Sequence, residues 1–230
     1  MYKGLLFTAD MHLRPDVPVC RTDDFLAAQW KKFEQIQTHV DRNQLAWIDA
    51  GDIFHKAIPP LPFVNSVLQN MTGRIVAGVM GNHDLPAHNI GRMEESAWGT
   101  LHAAAWLEQA LGSEPVHIKI GSDHFPDKRA DVDVYGASYG EDVPVPYNDD
   151  TFKVLVLHDM VYASRNSMIP NAPGCMAKKL LLDNKYYDLI VTGHNHQSFM
   201  VEANGRYLVN GGSMTRQTAD QIDHTPRTRV

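Results

Sequence analysis

The sequence predicts an α/β protein made of two packed β-sheets with helices outside them. Two observations carry this expectation. In the first half, short apolar runs alternate with segments of helical periodicity, and in the second half strand-type runs dominate. In addition, five clusters of Asp, Asn and His each stand directly after a predicted strand.

Gly4 to Ala9 is an apolar run bounded by polar residues and reads as the first strand. Thr22-Asp23-Asp24 is a helix start signal. After it Phe25, Leu26, Trp30, Phe33, Ile36 and Val40 recur at helical spacing. Leu45 to Ala50 is the second strand, a helix from Pro62 carries Phe63, Val64, Val67, Leu68 and Met71, and Arg74 to Met80 is the third strand. A loop-rich stretch follows, with a short helix expected over Thr100 to Leu111. Strands are expected at Val116 to Ile120, Val132 to Ala137 and Phe152 to Leu157, a helix at Cys175 to Leu182, and a strand at Leu189 to Thr192. Ser198 to Glu202 and Tyr207 to Val209 flank Asn204-Gly205, a strong hairpin signal. The Pro-rich piece Val143 to Tyr147 reads as a surface loop. The four tryptophans, Trp30, Trp47, Trp98 and Trp106, read as packing residues.

At 230 residues, 43% hydrophobic and 21% charged, the chain has ordinary globular make-up and can bury a core without staples. We expect one domain over 1–230. Cys20 and Cys175 are far apart and in no metal-type spacing, so a reduced, cytoplasmic setting is expected. The N-terminal apolar run is too short for a signal-peptide core or a membrane span. The net charge of −6 offers no general basic surface to nucleic acid. Basic residues gather only loosely, at Lys178, Lys179, Lys185, Arg206, Arg216, Arg227 and Arg229.

The five clusters are Asp10-x-His12, Gly51-Asp52, Gly81-Asn82-His83-Asp84, His158 and Gly193-His194-x-His196. Ligands of layered α/β folds bind at the carboxyl ends of strands, where side chains distant in sequence converge. Asp and His donors without thiolates suit Mn2+, Fe2+ or Zn2+ rather than a structural zinc site, and Mg2+ is also compatible. Asp52, in the middle of the set, is the natural bridging carboxylate. Two ions about 3.5–4 Å apart can activate water and clamp a phosphate. The glycines before Asp52, Asn82 and His194 are expected to let the backbone turn sharply. Asp-x-His alone is common by chance, whereas Gly-Asn-His-Asp is rare.

The ordered set resembles the calcineurin-like metallophosphoesterase superfamily from residue 4 to about residue 216. The resemblance implies a four-layer αββα sandwich with two mixed sheets and two divalent metal ions, Mn2+ foremost. By it, Asp10, His12, Asp52 and His196 hold one ion, and Asp52, Asn82, His158 and His194 the other. His83 is then the general acid, oriented by Asp84, in a hydrolysis driven by metal-activated hydroxide. Imidazole suits that role because it ordinarily titrates near neutrality. Gly51-Asp52-Ile53-Phe54-His55 further resembles the SbcD-type nucleases of DNA double-strand-break repair, where a histidine at the position of His55 helps place DNA. The ending Asn210-Gly211-Gly212-Ser213-Met214-Thr215-Arg216 is similar to theirs too.

The subfamily resemblance implies a DNA exonuclease and single-strand endonuclease with an SbcC-type ATPase partner and a homodimer. The chain runs only fourteen residues past Arg216, to Val230 in a further expected strand, so the capping domain and ATPase-docking segment are expected to be absent or truncated. A phosphodiesterase or phosphatase of nucleotides or other small esters stays open, as does a non-catalytic adaptor. His88 and Arg216 are candidate substrate contacts. His39, His102, His117, His124 and His224 read as surface or helix-face residues.

Overall fold

The computed structural model describes residues 1–122, 125–147 and 150–218. His124, His224, Arg227, Arg229 and the strand expected toward Val230 lie outside the described residues. Strands β1 (Gly4–Thr8), β2 (Leu45–Asp49), β3 (Ile75–Gly78) and β4 (Leu107–Ala110) lie side by side in that order. All three pairings are parallel. Parallel neighbours need crossovers, which the helices α1 (Phe25–Asn43), α2 (Leu61–Asn70) and α3 (Ala97–Ala103) supply.

The second sheet contains β5 (Val116–Ser122), β6 (Phe125–Ala137) and β7 (Phe152–His158). After a short ribbon of β8 (Val161–Tyr162) and β9 (Cys175–Met176) come α4 (Ala177–Asp183), β10 (Leu189–Gly193), β11 (Phe199–Ala203) and β12 (Arg206–Asn210). The spatial order is β11-β12-β10-β7-β6-β5. Pairing is antiparallel at β11–β12 and β5–β6 and parallel between. Two mixed sheets were expected; among the described residues the first is parallel throughout and the second is mixed.

Strand alternation divides the core into layers. In β2, Ala46 and Ile48 face the second sheet, where they join Val79, Val134, Val154, Val156 and Val191. Trp47, on the other face, packs with Phe33 of α1, Phe63 and Val67 of α2 and Trp98 of α3. Beyond the second sheet, Tyr135, Leu155, Ile190 and Leu208 pack against Ala177 and Leu181 of α4. The layer order is therefore helix, sheet, sheet, helix.

Local chemistry agrees with most of the element expectations. Asp24 caps α1, its side chain accepting from the Ala27 N–H at 3.1 Å. Asn204 and Gly205 take φ of 55° and 73°, the left-handed pair that a two-residue type I′ hairpin requires. Two expectations need correction. The helix expected over Thr100 to Leu111 ends at Ala103, and Leu107–Ala110 is strand β4. The local helix preference of Leu-Glu-Gln-Ala is overridden by pairing with β3 and by full burial of Leu107. The helix expected from Cys175 begins at Ala177, because Cys175 and Met176 pair with Val161 and Tyr162.

Ile48 is fully buried between the sheets. Ile48→Ala should cost about 2–5 kcal/mol in urea unfolding, the range for deleting a large buried aliphatic. A loss below about 1 kcal/mol would contradict a close-packed interlayer.

Candidate metal centre

The five clusters meet at one edge of the sandwich, where β1, β2, β3, β7 and β10 all end. Asp10, His12, Asp52 and His194 have φ of 50°, 45°, 58° and 74°, in the left-handed region that non-glycine residues rarely occupy. Such conformations cost of order 1–3 kcal/mol each and persist only where surrounding bonds hold them. Here the turns are stitched together. The Asp10 N–H donates to the Gly51 carbonyl and the His12 N–H to the Asp52 carbonyl, both at 2.9 Å. The Met214 N–H donates to the Asp10 carbonyl at 3.1 Å.

Beside an all-imidazole cluster of His12, His55 and His83, two carboxylate-bearing groups of donors result, Asp10, His12 and His196, and Asp52, His158 and His194; in each the ligand atoms lie within 4.8 Å of one another. Asp52 Oδ2 lies between the groups, 3.6 Å from His12 Nε2 and 3.4 Å from His158 Nε2. Asp10 Oδ1 lies 3.8 Å from both His12 Nε2 and His196 Nε2. The two imidazole nitrogens, His12 Nε2 and His196 Nε2, face each other at 2.9 Å. Asp10 Oδ2, Asn82 Oδ1 and His158 Nε2 are buried with no hydrogen-bond partner. Such orphaned atoms cost about 1–3 kcal/mol each unless something satisfies them. A pair of divalent cations would, and the oxygen and imidazole donors fit them.

The electrostatics carry the same message. Burial pushes the Asp10 and Asp84 carboxyls up to about 7, against the opposing pull of His158 and with the Asp52 charge adding to the rise. Burial alone would also raise Asp52, but the charge of His158 holds it down. Burial alone would lower His158, and Asp52 outweighs that, raising it to about 10. Burial holds His194 and His55 down to about 4 and pulls His12 well down.

The remaining expected residues fall as follows. His83 was expected to be oriented by Asp84; instead its Nδ1–H donates to the His55 carbonyl at 2.7 Å. Asp84 is fully committed to backbone, accepting from Asp52 N–H at 2.7 Å, Gly81 N–H at 3.0 Å and Phe54 N–H at 3.2 Å. The physical reason is position: Asp84 is buried beneath the loop, whereas His83 turns toward the cleft. The His55 ring stacks on His83, with centroids 5.2 Å apart. His88 is exposed, 5.8 Å from the Tyr139 ring, which in turn lies 5.6 Å from the His194 ring. Arg216 lies against the Arg21–Asp23 pair, its carbonyl accepting from Arg21 Nη1 at 3.2 Å.

The glycines act through space as well as through turns. Gly51 has φ +94°, and a Cβ there would lie 2.4 Å from His158 Nδ1. Gly81 needs no unusual φ; a Cβ there would lie 2.0 Å from Asp52 Oδ1. Gly193 would likewise meet the Ala50 carbonyl at 2.5 Å. One supporting residue was missed in the sequence reading. Buried Asp49 accepts from Thr8 Oγ1 at 2.6 Å and from the Gly51 N–H at 2.9 Å, aiming the turn that carries Asp52. Its sequence signal was an acid ending an otherwise apolar strand.

Comparisons place this geometry among known proteins. A family model described as calcineurin-like phosphoesterase matches residues 4–198. No curated protein matches the chain. Among solved structures, a putative 5′-nucleotidase from Staphylococcus aureus, in complex with alpha-ketoglutarate, superposes with a TM-score of 0.55 at 13% identity. It covers 91% of this chain and 48% of its own, so the chain spans about half the length of that protein. The protein TT1561 of Thermus thermophilus gives 0.52 at 13% identity, covering 91% of this chain and 89% of its own. GAP50, the anchor in the inner membrane complex of Plasmodium, gives 0.52 at 12%, covering 92% and 72%. At these identities the likeness is one of fold. Among the described residues no helix is long and apolar enough to cross a membrane.

Metal uptake should be proton-coupled. A cation can use His158 Nε2 and Asp10 only in their deprotonated forms, and both groups hold protons unusually tightly. Raising the pH therefore favours binding. Titration of Mn2+ into metal-free protein at pH 7 should release protons, and affinity should climb by up to about tenfold per pH unit per proton. Affinity independent of pH between 6 and 8 would contradict this.

Proposed function

The chain belongs to the calcineurin-like phosphoesterase family, and on that premise we propose that it is a dinuclear-metal phosphodiesterase whose substrate is a DNA strand. The observation that carries the reading is the placement of Asp52 Oδ2 between the two carboxylate-bearing donor groups. Asp10, His12, Asp52 and His196 hold one ion in this proposal, and Asp52, Asn82, His158 and His194 the other, with Mn2+ the proposed metal. When bound, the ions supply Lewis acidity toward the phosphoryl oxygens and a nucleophile from water at neutral pH.

The chain's own residues then have distinct tasks. His83 is the general acid. Fixing its Nδ1–H on the His55 carbonyl leaves Nε2 as the nitrogen that gives its proton to the leaving oxygen. Water gives up one proton to solvent as its oxygen forms a P–O bond, the P–O bond to the leaving group breaks, and the His83 proton ends on that leaving oxygen. His55 positions His83 through both carbonyl and ring. Asp84 holds the loop rather than the imidazole.

Two observations support a nucleic-acid strand. The Gly51–His55 segment resembles that of SbcD-type nucleases. Beside His83 lies a cleft of about 710 Å³ whose lining includes Lys56 and His88, room enough for a nucleotide-sized leaving group. The net charge of −6 favours a second reading, in which the substrate is a small phosphoester such as a nucleotide.

His83→Ala should retain its metal and lose about 10²–10⁴-fold in DNA hydrolysis. The loss should be smaller with bis-p-nitrophenyl phosphate, whose leaving group departs without a proton. Undiminished DNA hydrolysis would remove His83 from the acid role. Labelled single- and double-stranded DNA assayed beside bis-p-nitrophenyl phosphate with Mn2+ tests the substrate: hydrolysis of the small ester but of no DNA overturns the strand reading. Protein that binds no divalent metal would instead be an adaptor.

A further inference from the structure

Because His83 protonates the leaving oxygen, the leaving half of the substrate must lie on the His83 side of the metals. The cleft there is lined by Asn82 and His83, and by Lys56, Ile58, His88 and Arg92.

Three features distinguish these walls. Lys56 is exposed and pairs with no carboxylate among the described residues, although its charge is felt by His55. Arg92, by contrast, is engaged by Glu95 at 2.5 Å. Ile58 is 63% exposed, an apolar surface beside that free cation. Ala87 and His88, which also line the cleft, both adopt left-handed φ, 53° and 54°. Two successive strained non-glycine residues are costly, and such strain concentrates at ligand-contacting loops. The cleft lining thus combines the acid, an exposed apolar side chain and one ammonium that pairs with no carboxylate among the described residues.

We propose that Lys56 is a specificity-determining residue that binds a second phosphate, carried by the leaving group beyond the scissile one. The proposal rests on the phosphodiesterase reading and narrows it. The preferred substrate is a strand in which the leaving nucleoside is itself phosphorylated, rather than a diester with an uncharged leaving group. The nucleoside body lies against Ile58, and the next phosphate meets the Lys56 ammonium as a charge-assisted contact.

The test uses thymidine dinucleotides carrying a terminal phosphate at the 5′ end, at the 3′ end or at neither, with Mn2+-loaded protein. One of the two phosphorylated forms should be preferred in kcat/KM by about tenfold or more, the effect of one charge-assisted hydrogen bond. Added salt should erode the preference. Lys56→Ala should bring the ratio close to one, and Lys56→Arg should restore it. The ratio is taken within each variant, so partial misfolding cannot imitate the result. Equal rates on all three dinucleotides, or a preference that survives Lys56→Ala, would overturn the proposal. Bis-p-nitrophenyl phosphate serves as the control for the underlying reading. Its hydrolysis without any dinucleotide preference defeats the Lys56 assignment alone, whereas metal-loaded protein that cleaves no diester defeats the phosphodiesterase reading and the assignment with it.

Discussion

Asp84 accepts N–H groups from Gly81, Asp52 and Phe54, and through these bonds one buried carboxylate ties the end of β3 to the end of β2. A typical intramolecular hydrogen bond is worth about 0.5–1.5 kcal/mol net, so three together reach roughly 1.5–4.5 kcal/mol. That is the scale needed to hold Asp52 at φ 58°. Asp49 does the same from the other side, accepting from the Gly51 N–H and from Thr8, whose hydroxyl also accepts from Trp47 Nε1 at 2.7 Å. Asp52 Oδ2, which lies between the two donor groups, is therefore placed by a network that reaches into the aromatic core beneath it. The donors at the rim are rigid because their supports are buried.

The same arrangement concentrates acids and imidazoles where water cannot reach them. Asp10, Asp49, Asp52 and Asp84 are all buried, and like charges so close cannot all ionise without counterions. Burial first, and the neighbouring carboxylates after it, push Asp10, Asp49 and Asp84 upward. Divalent cations held at Asp10 and Asp52 would relieve that directly, and the demands of folding and function would then meet at one site. A fold selected for stability alone would not keep four left-handed ligand residues and a set of orphaned donors at its rim.

Much of this was legible in the sequence because the signals are short and local. Strand runs, the Asp24 cap and the Asn204-Gly205 turn each announce themselves within a few residues. The donor set was legible for a different reason: in a layered α/β fold a strand end is also a place in space. What was not legible depended on contacts between segments. Leu107–Ala110 is a strand because β3 offers it an edge, and nothing in its own residues says so. The family resemblance implied that Asp84 orients His83. The fold turns the two side chains apart and gives the imidazole to the carbonyl of His55, twenty-eight residues away. Gly81 matters because a Cβ there would lie 2.0 Å from Asp52 Oδ1, which no local conformational rule reveals.

The two sheets are also joined at the site itself, and this sets how distant substitutions can act. His158, the last residue of β7, donates from Nδ1 to the carbonyl of Ala50, just past β2, at 2.7 Å. Gly193, at the end of β10, leaves no room for a Cβ against that same carbonyl. One donor group draws Asp52 from the first sheet and His158 and His194 from the second, and the other draws Asp10 and His12 from the first and His196 from the second. The separation of the donors is therefore the separation of the sheets, which the side chains of Ile48, Val154, Val156 and Val191 set between them. Packed interiors transmit small volume changes instead of absorbing them. A change in that interlayer reaches the metals through the spacing of the two sheet edges, without touching any ligand.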